Sequence, residues 1–410
     1  MGARDLNWRR TPLGKICKIV GGSTPNSGVE RYWGGEIIWV TPTDLGRNEG
    51  IYIASSERRI TQEGYESCGS ELVPAGSVVM SSRAPIGHLA IAQVDLCTNQ
   101  GCKKFVPSDQ VDSLFLYFAL RHAMPDIRDL GSGATFAEVS KSQLEAFEIS
   151  LPDVAEQKRI AAILNEQMAA VGKARAAAEA QGTEAARLQS AYFRQAFGGI
   201  VPLAALEADQ SLPPSGWRWQ TLGDIARLES GHTPSRSRPD WWGGDVPWLA
   251  LPDIRNLDGL VAKETAETTN EQGLANSSAR LLPENTVCLS RTASVGFVTI
   301  LGRPMATSQD FVNWVCGPKL DPFFLMHLLR ASRDYVRSLS SGAIHKTVYM
   351  PTVKAFRVCI PDIGEQQRIA TFLNAKLKDE ETLRRSIDQS SSDLSILPAV
   401  LLRHVFSGQL

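Results

Sequence analysis

The chain states one long motif twice. "PDVAEQKRIAAIL" begins at Pro152 and "PDIGEQQRIATFL" at Pro361; the two agree at eight of thirteen positions and lie 209 residues apart. The offset holds nearly end to end. "PLGKICKIVGGSTP" from Pro12 matches "TLGDIARLESGHTP" from Thr221, and "YWGGEIIWV" from Tyr32 matches "WWGGDVPWL" from Trp241. Ser82-Arg83 matches Ser290-Arg291, Asn99-Gln100 matches Ser308-Gln309, and "GSGAT" from Gly131 matches "SSGAI" from Ser340. Periods of about 20–50 residues belong to solenoids. A period of 209 is long enough for each copy to bury its own core, so the repeat is a duplicated module.

Each module divides again by texture. Residues 1–150 and 201–360 are rich in Gly, Pro, Trp and short β-branched runs. "EIIWV", "SVVMSS", "HLAIAQV", "TVCLS" and "VGFVTIL" read as short strands between turn signals. "DSLFLYFALRHA" from Asp112 and "PFFLMHLLRASRDYVRSL" from Pro322 read as helices. Residues 151–200 and 361–410 read as long helices, almost free of Gly and Pro and full of Ala, Glu, Gln, Arg and Leu. In the first, Ile160, Leu164, Val171 and Leu188 fall on a heptad seam; in the second, Ile369, Leu373, Leu383, Ile387 and Leu394 do. Pro398 is expected to kink or break the second helix.

The fold class that follows is α+β. Two related mixed α/β heads are separated by two long antiparallel helices forming a coiled-coil spacer, with pseudo-twofold symmetry. The boundaries are 1–150 for the first head, 151–200 for the central helix, 201–360 for the second head and 361–410 for the C-terminal helix.

Composition narrows the setting. The chain carries 43 Lys and Arg against 44 Asp and Glu, a net charge of −1. That balance neither advertises nor excludes nucleic acid, because a groove can be basic on an otherwise acidic surface. The seven cysteines are scattered without a CxxC pair, which predicts free thiols and a reducing, cytoplasmic setting, with no metal site. No signal peptide, lipidation signal or membrane span is read.

Two related heads on a pseudo-twofold axis suit duplex DNA, whose half-sites are read by paired modules. Because the heads have diverged, the site read is expected to be bipartite and asymmetric. The "LGxI…GxTP…WGG…W" opening of each copy, the "PxxxEQxRIAxxL" start of each long helix and the closing "AFGG" and "VFSG" resemble the specificity subunit of type I restriction-modification systems. The resemblance covers essentially all 410 residues, in both copies. It implies that each head is a target recognition domain. It also implies long helices that set the gap and dock two methylation subunits, with two restriction subunits in a larger assembly. S-adenosylmethionine, ATP and magnesium would then be bound by those partners, and this chain would need no cofactor. A coiled-coil adaptor whose heads bind proteins is the reading from another class.

Intrinsic catalysis finds no motif with a mechanism. There is no GxxxxGK[ST] and no HExxH. "LPPSGW" from Leu212 lacks the residues a base-flipping methyltransferase would need. Asp153, Glu156 and Lys158 mimic a nuclease triad, but the second copy places Gln367 where the first has Lys158. Candidate DNA contacts are Arg83 and Arg291, in matched loops after strand runs, and Arg236 and Arg238, in the polar loop "TPSRSRPDWW". For Arg83 and Arg291 a surface ion pair is an equal alternative. Lys103, Lys104, Lys141, His345 and Lys346 complete the candidates, with solvated surface the favoured reading. Trp33, Trp39, Trp242 and Trp248 read as core in preference to base-stacking platforms. Thr24 and Thr233 read as turn caps.

Overall fold

The computed structural model describes residues 8–83, 85–131, 137–342 and 346–407. The chain divides into two compact units. One comprises Met1–Glu179 with Gln389–Leu410, the other Ala180–Asp388. Each unit therefore contains one head, part of each long helix, and its own core.

The first head is built on a five-stranded sheet ordered Cys17–Gly21, Cys102–Pro107, Val78–Ser81, Leu89–Ala92 and Tyr52–Ile53. All neighbours are antiparallel except the last pair. A smaller sheet sets Trp33–Val40 between Arg59–Ile60 and Cys97–Thr98. The second head repeats this order: Ala226–Ser230, Phe311–Cys316, Val287–Ser290, Val298–Leu301, Val261–Ala262, with Trp242–Leu249 between Glu267–Thr269 and Ala306–Thr307. The predicted strands are all present. The apolar run from Pro322 is two helices rather than one, Pro322–Ala331 and Arg333–Ser338. They meet at Ser332, whose side chain is buried and makes no cap hydrogen bond.

The "WGG" motif marks a bulge in the strand of each head. Gly34 and Gly243 have φ of 80° and 79°, the region glycine enters without strain. A Cβ on Gly35 would lie 2.5 Å from the Ile60 carbonyl oxygen, so the neighbouring strand can approach only a glycine. Such a bulge redirects the side chains around it, here the two tryptophans.

The doubled "PDxxEQ" motif is a structural clamp. Gln157 is fully buried. Its Nε2 donates to the carbonyls of Gln110 (3.0 Å) and Pro152 (2.9 Å), and its Oε1 accepts from the Asp112 amide at 2.8 Å. Gln366 does the same with Lys319, Pro361 and Asp321 at 3.1, 3.0 and 3.0 Å. Asp112 and Asp321 in turn cap the apolar helices Ser113–His122 and Pro322–Ala331. One amide thus ties the start of a long helix to the start of a head helix. Asp153 caps the long helix through the Glu156 amide, and Glu156 pairs with Arg159. The nuclease-like spacing is a helix N-terminus.

The long helices run Val154–Ala196 and Ile363–Phe406. The second continues unbroken through Pro398, where a kink or break was expected. Pro398 removes one backbone bond, but the turns beyond it are held by Leu402 and Val405, buried in the first head's core beside Ile160, Ala161 and Leu164. Phe406 stacks on His122 with centroids 4.8 Å apart and meets Trp8 edge-on. Within that unit the helices are antiparallel. Within the other unit Tyr192 meets Phe372, Gly182 faces Ile387, and Ile369, Ala370 and Leu373 enter the second core, again an antiparallel arrangement.

Of the seam positions, Ile160, Leu164, Val171, Ile369, Leu373 and Ile387 are buried, and Leu188 and Leu394 half-buried. Leu383 departs from the expectation: it is 44% exposed. One turn earlier Glu380 is buried and forms an ion pair with Arg384.

Candidate nucleic-acid interface

In each head four loops are tied edge to edge by hydrogen bonds. In the first, the Ser23 amide donates to the Thr98 carbonyl at 3.0 Å, and the Thr24 hydroxyl bonds to Gln100. Ser82 bonds through its amide to Gly101 at 2.8 Å, and the Val139 amide donates to Ser82 at 3.0 Å. In the second, Thr233 bonds to Gln309, the Arg291 amide donates to Asp310 at 2.8 Å, and the Val348 amide donates to Arg291 at 2.9 Å. Thr24 and Thr233, read as turn caps, join two loops. Gly22 and Gly231 permit the approach, since a Cβ on either would lie 1.9 Å from a facing carbonyl oxygen. The sequence-predicted residues have different fates.

In the first head one carboxylate gathers two of the candidates. Arg83 Nε donates to Glu138 at 2.9 Å, and Lys103 Nζ reaches the other Glu138 oxygen at 3.2 Å and Ser82 Oγ at 3.3 Å. Burial pushes the Glu138 carboxyl up, but the bonds from Arg83 and Lys103 outweigh it and hold it below the usual range. Arg83 remains accessible, whereas the Lys103 ammonium is enclosed by its partners. Lys104 is corrected outright: it is fully buried on the opposite face of the strand, its Nζ donates to the Glu71 carbonyl at 2.5 Å, and burial pushes its pKa down to about 8. An ammonium in that position cannot reach a phosphate. Lys141 pairs with Glu145 one turn on, at 3.5 Å.

The second head lacks that carboxylate. Glu138 is replaced by Thr347, and Lys103 and Lys104 by Val312 and Asn313. Arg291 makes no ion pair among the described residues. Its Nη2 donates to the Gln309 carbonyl at 3.0 Å, and its Nε is buried without a partner. Two residues on, Ala293 has φ of 57°, a strained conformation for a residue with a side chain. Lys346 is exposed beside it, its carbonyl accepting from Ala293 at 3.0 Å. His345 lies outside the described residues.

Arg236 and Arg238 are both paired. Arg236 holds Glu267 bidentately at 2.6 and 2.8 Å, and Arg238 holds Asp240 at 2.9 and 2.7 Å. These bonds keep both carboxyls below their ordinary range. Arg236 also lies over Trp242, 4.0 Å from its centroid. The tryptophans form equivalent edge-on pairs, Trp33–Trp39 at 5.1 Å and Trp242–Trp248 at 4.9 Å. Trp39 and Trp248 are core, as read, while Trp33 and Trp242 stay partly open. Arg58, which sequence reasoning passed over, lies 3.5 Å from the Trp33 centroid. Its signal was available only by setting position 58 against position 267.

The cysteines are free, and five of the seven are buried; burial pushes Cys17 and Cys102 up to about 12, so neither is a thiolate at neutral pH. Among the described residues no cluster of His, Cys, Asp or Glu is arranged to hold a metal ion, and no helix is long and apolar enough to cross a membrane.

Duplicated heads with matched loop rims, joined through long helices, define a class, and comparison with known proteins identifies it. The family model for the type I restriction modification DNA specificity domain matches twice, at residues 6–172 and 214–389. The chain belongs to this family and is a type I restriction-modification specificity subunit with two target recognition domains. It is 31% identical over 296 residues to the type I restriction enzyme MjaIX specificity subunit of Methanocaldococcus jannaschii, covering 71% of this chain and 68% of that one. It is 26% identical over 201 residues to the HindI specificity subunit of Haemophilus influenzae, covering 48% and 42%. The crystal structure of the HsdS subunit from Thermoanaerobacter tengcongensis shares the fold with a TM-score of 0.66 at 17% identity, over 99% of this chain and 98% of that one. A chain from a structural study of assembly and conformational transition in a type I R-M system shares it with a TM-score of 0.70 over the whole of both chains, also at 17% identity.

Proposed function

We propose that the chain is the non-catalytic subunit that reads DNA for a type I restriction-modification complex. The heads at 1–150 and 201–360 each read one half of a bipartite, asymmetric duplex site. The helices at 151–200 and 361–410 set the gap and dock two methylation subunits, and two restriction subunits complete the assembly in the cytoplasm. S-adenosylmethionine, ATP and magnesium are held by those partners. The observation that carries this reading is the doubled loop rim, which presents cations in both heads but compensates them differently. A phosphate or base edge supplies a further acceptor for the Arg291 guanidinium, which makes no ion pair among the described residues. Exposed apolar residues on the C-terminal helix, Leu383 in one unit and Ile396 and Val400 in the other, support docking of partner helices.

The test is to express the chain with its methylation subunits and sequence the methylated adenines of the host genome. A two-part asymmetric motif, methylated only when this chain is present, is the expected result. Methylation independent of the chain, or a single undivided motif, would count against the reading.

A further inference from the structure

The duplication supplies an internal comparison at one spot, the open face of the tryptophan pair. The framework there is the same in both heads. The Trp39 amide donates to Ser56 Oγ at 3.1 Å and the Trp248 amide to Thr265 Oγ1 at 3.0 Å. Asp44 accepts from the Glu57 amide at 2.8 Å and Asp253 from the Ala266 amide at 2.9 Å. Residues 58 and 267, which follow, are thus held in equivalent places. The indoles of Trp33 and Trp39 donate to Asn26 and Ser23, and those of Trp242 and Trp248 to Ser235 and His232. Those loops also carry Thr24 and Thr233, so the platform adjoins the rim.

On this common framework a guanidinium lies over the open tryptophan in both heads, but from different positions. In the first head it is Arg58, and position 27 is an exposed serine. In the second it is Arg236, the counterpart of Ser27, and the counterpart of Arg58 is Glu267. The charge at one position has inverted and a cation has entered at the other. Stacking on a partly open aromatic ring is favourable for a guanidinium, which accounts for a cation being there. It does not account for the difference in pairing. Arg236 is closed by Glu267 at 2.6 and 2.8 Å, whereas Arg58 has no carboxylate partner among the described residues. A guanidinium already ordered on a ring loses less freedom when it meets a two-acceptor edge.

We propose that this face is a base-reading spot in each head. Arg58 reads a guanine edge in the first half-site, and the Arg236–Glu267 pair, which presents a donor and an acceptor together, selects a different base in the second. The proposal rests on the reading that the heads bind duplex DNA. It is tested in the complete complex with three variants of the first head, Arg58→Ala, Arg58→Lys and Ser27→Arg with Arg58→Glu, by sequencing genomic methylation. The first two should relax one position of the first half-site, with discrimination there falling roughly 5- to 150-fold. The double variant, which transplants the second head's arrangement, should change the preferred base at that same position. The second half-site should stay intact in all three, which also shows that they fold. An unchanged first half-site, or a uniform loss of methylation at every site, would overturn the proposal. Failure of the wild-type complex to methylate any bipartite site would instead overturn the underlying reading.

Discussion

In the first head Glu138 stands against Arg83 and Lys103; in the second, Thr347 and Val312 stand in the matching places and Arg291 is left without a carboxylate. The five- and three-stranded sheets of the two heads have the same strand order. What differs is where positive charge is neutralised. At the tryptophan platform the relation reverses, with Arg58 lacking a carboxylate partner among the described residues and Arg236 closed by Glu267. Backbone hydrogen bonds and buried apolar residues define the scaffold, while exposed charge pairs can be rearranged at little cost, since a surface pair is worth only about 0–1 kcal/mol. Divergence after duplication therefore changes the charges along the rim while the five- and three-stranded sheets keep their strand order.

The sharpest way to break the comparison is to exchange a head. Replacing residues 1–150 with the matching segment of another specificity subunit should replace one half of the methylated motif completely and leave the other half unchanged. A change in both halves would show that the heads are not separate readers.

A second contrast lies in the cores. His327 is buried, bonds to Asn374 at 2.7 Å, and is held neutral by burial, with a pKa of about 4; its counterpart in the first head is Phe118. The unfolded histidine protonates near 6.5. Stability from this group is thus fully present above that value and is lost as pH falls towards 4, by on the order of 3 kcal/mol. His327→Phe should remove that component, so melting temperatures of variant and wild type should diverge between pH 6.5 and 4.5. Parallel curves would show that the site does not titrate as its burial requires.

Arg291→Ala should cost about 1–3 kcal/mol of discrimination at one base of the second half-site if the guanidinium reads a base. A flatter salt dependence with unchanged sequence preference would make it a phosphate contact. Arg83→Ala should cost less, because its guanidinium is already engaged by Glu138. Equal effects would show that internal pairing does not rank these residues. Smallest of all should be Lys104→Met: the ammonium is enclosed, so DNA affinity and its salt slope should not move. A slope reduced by one charge would place that lysine on the surface after all.

The repeat and the two long helices were legible because they rest on offset and periodicity. The clamp role of Gln157 and Gln366 was not, since a conspicuous polar residue in a repeated motif does not reveal that its partners are main-chain groups some 45 residues upstream. Lys103 and Lys104 looked alike as neighbours, but strand alternation sends them to opposite faces, one to Glu138 and the other to the Glu71 carbonyl. Leu383 fits the heptad count and still lies outside, because register depends on which partner residues fill the seam. Arg58 was hidden for a related reason: an arginine in "SERRI" has no pattern of its own until its tryptophan is placed beside it.

The glutamine clamp has one further consequence. Each amide binds only peptide groups: one carbonyl and one N–H of its head, and the carbonyl of the proline that opens its own motif. These hydrogen bonds are indifferent to side-chain spelling at the turn before the first apolar helix, whereas the apolar residues that the long helices bury in each head's core are not. Recombination between two chains at "PDxxEQ" would then keep the joint's hydrogen bonds whichever head is joined, and only the apolar contacts between helix and head would have to match.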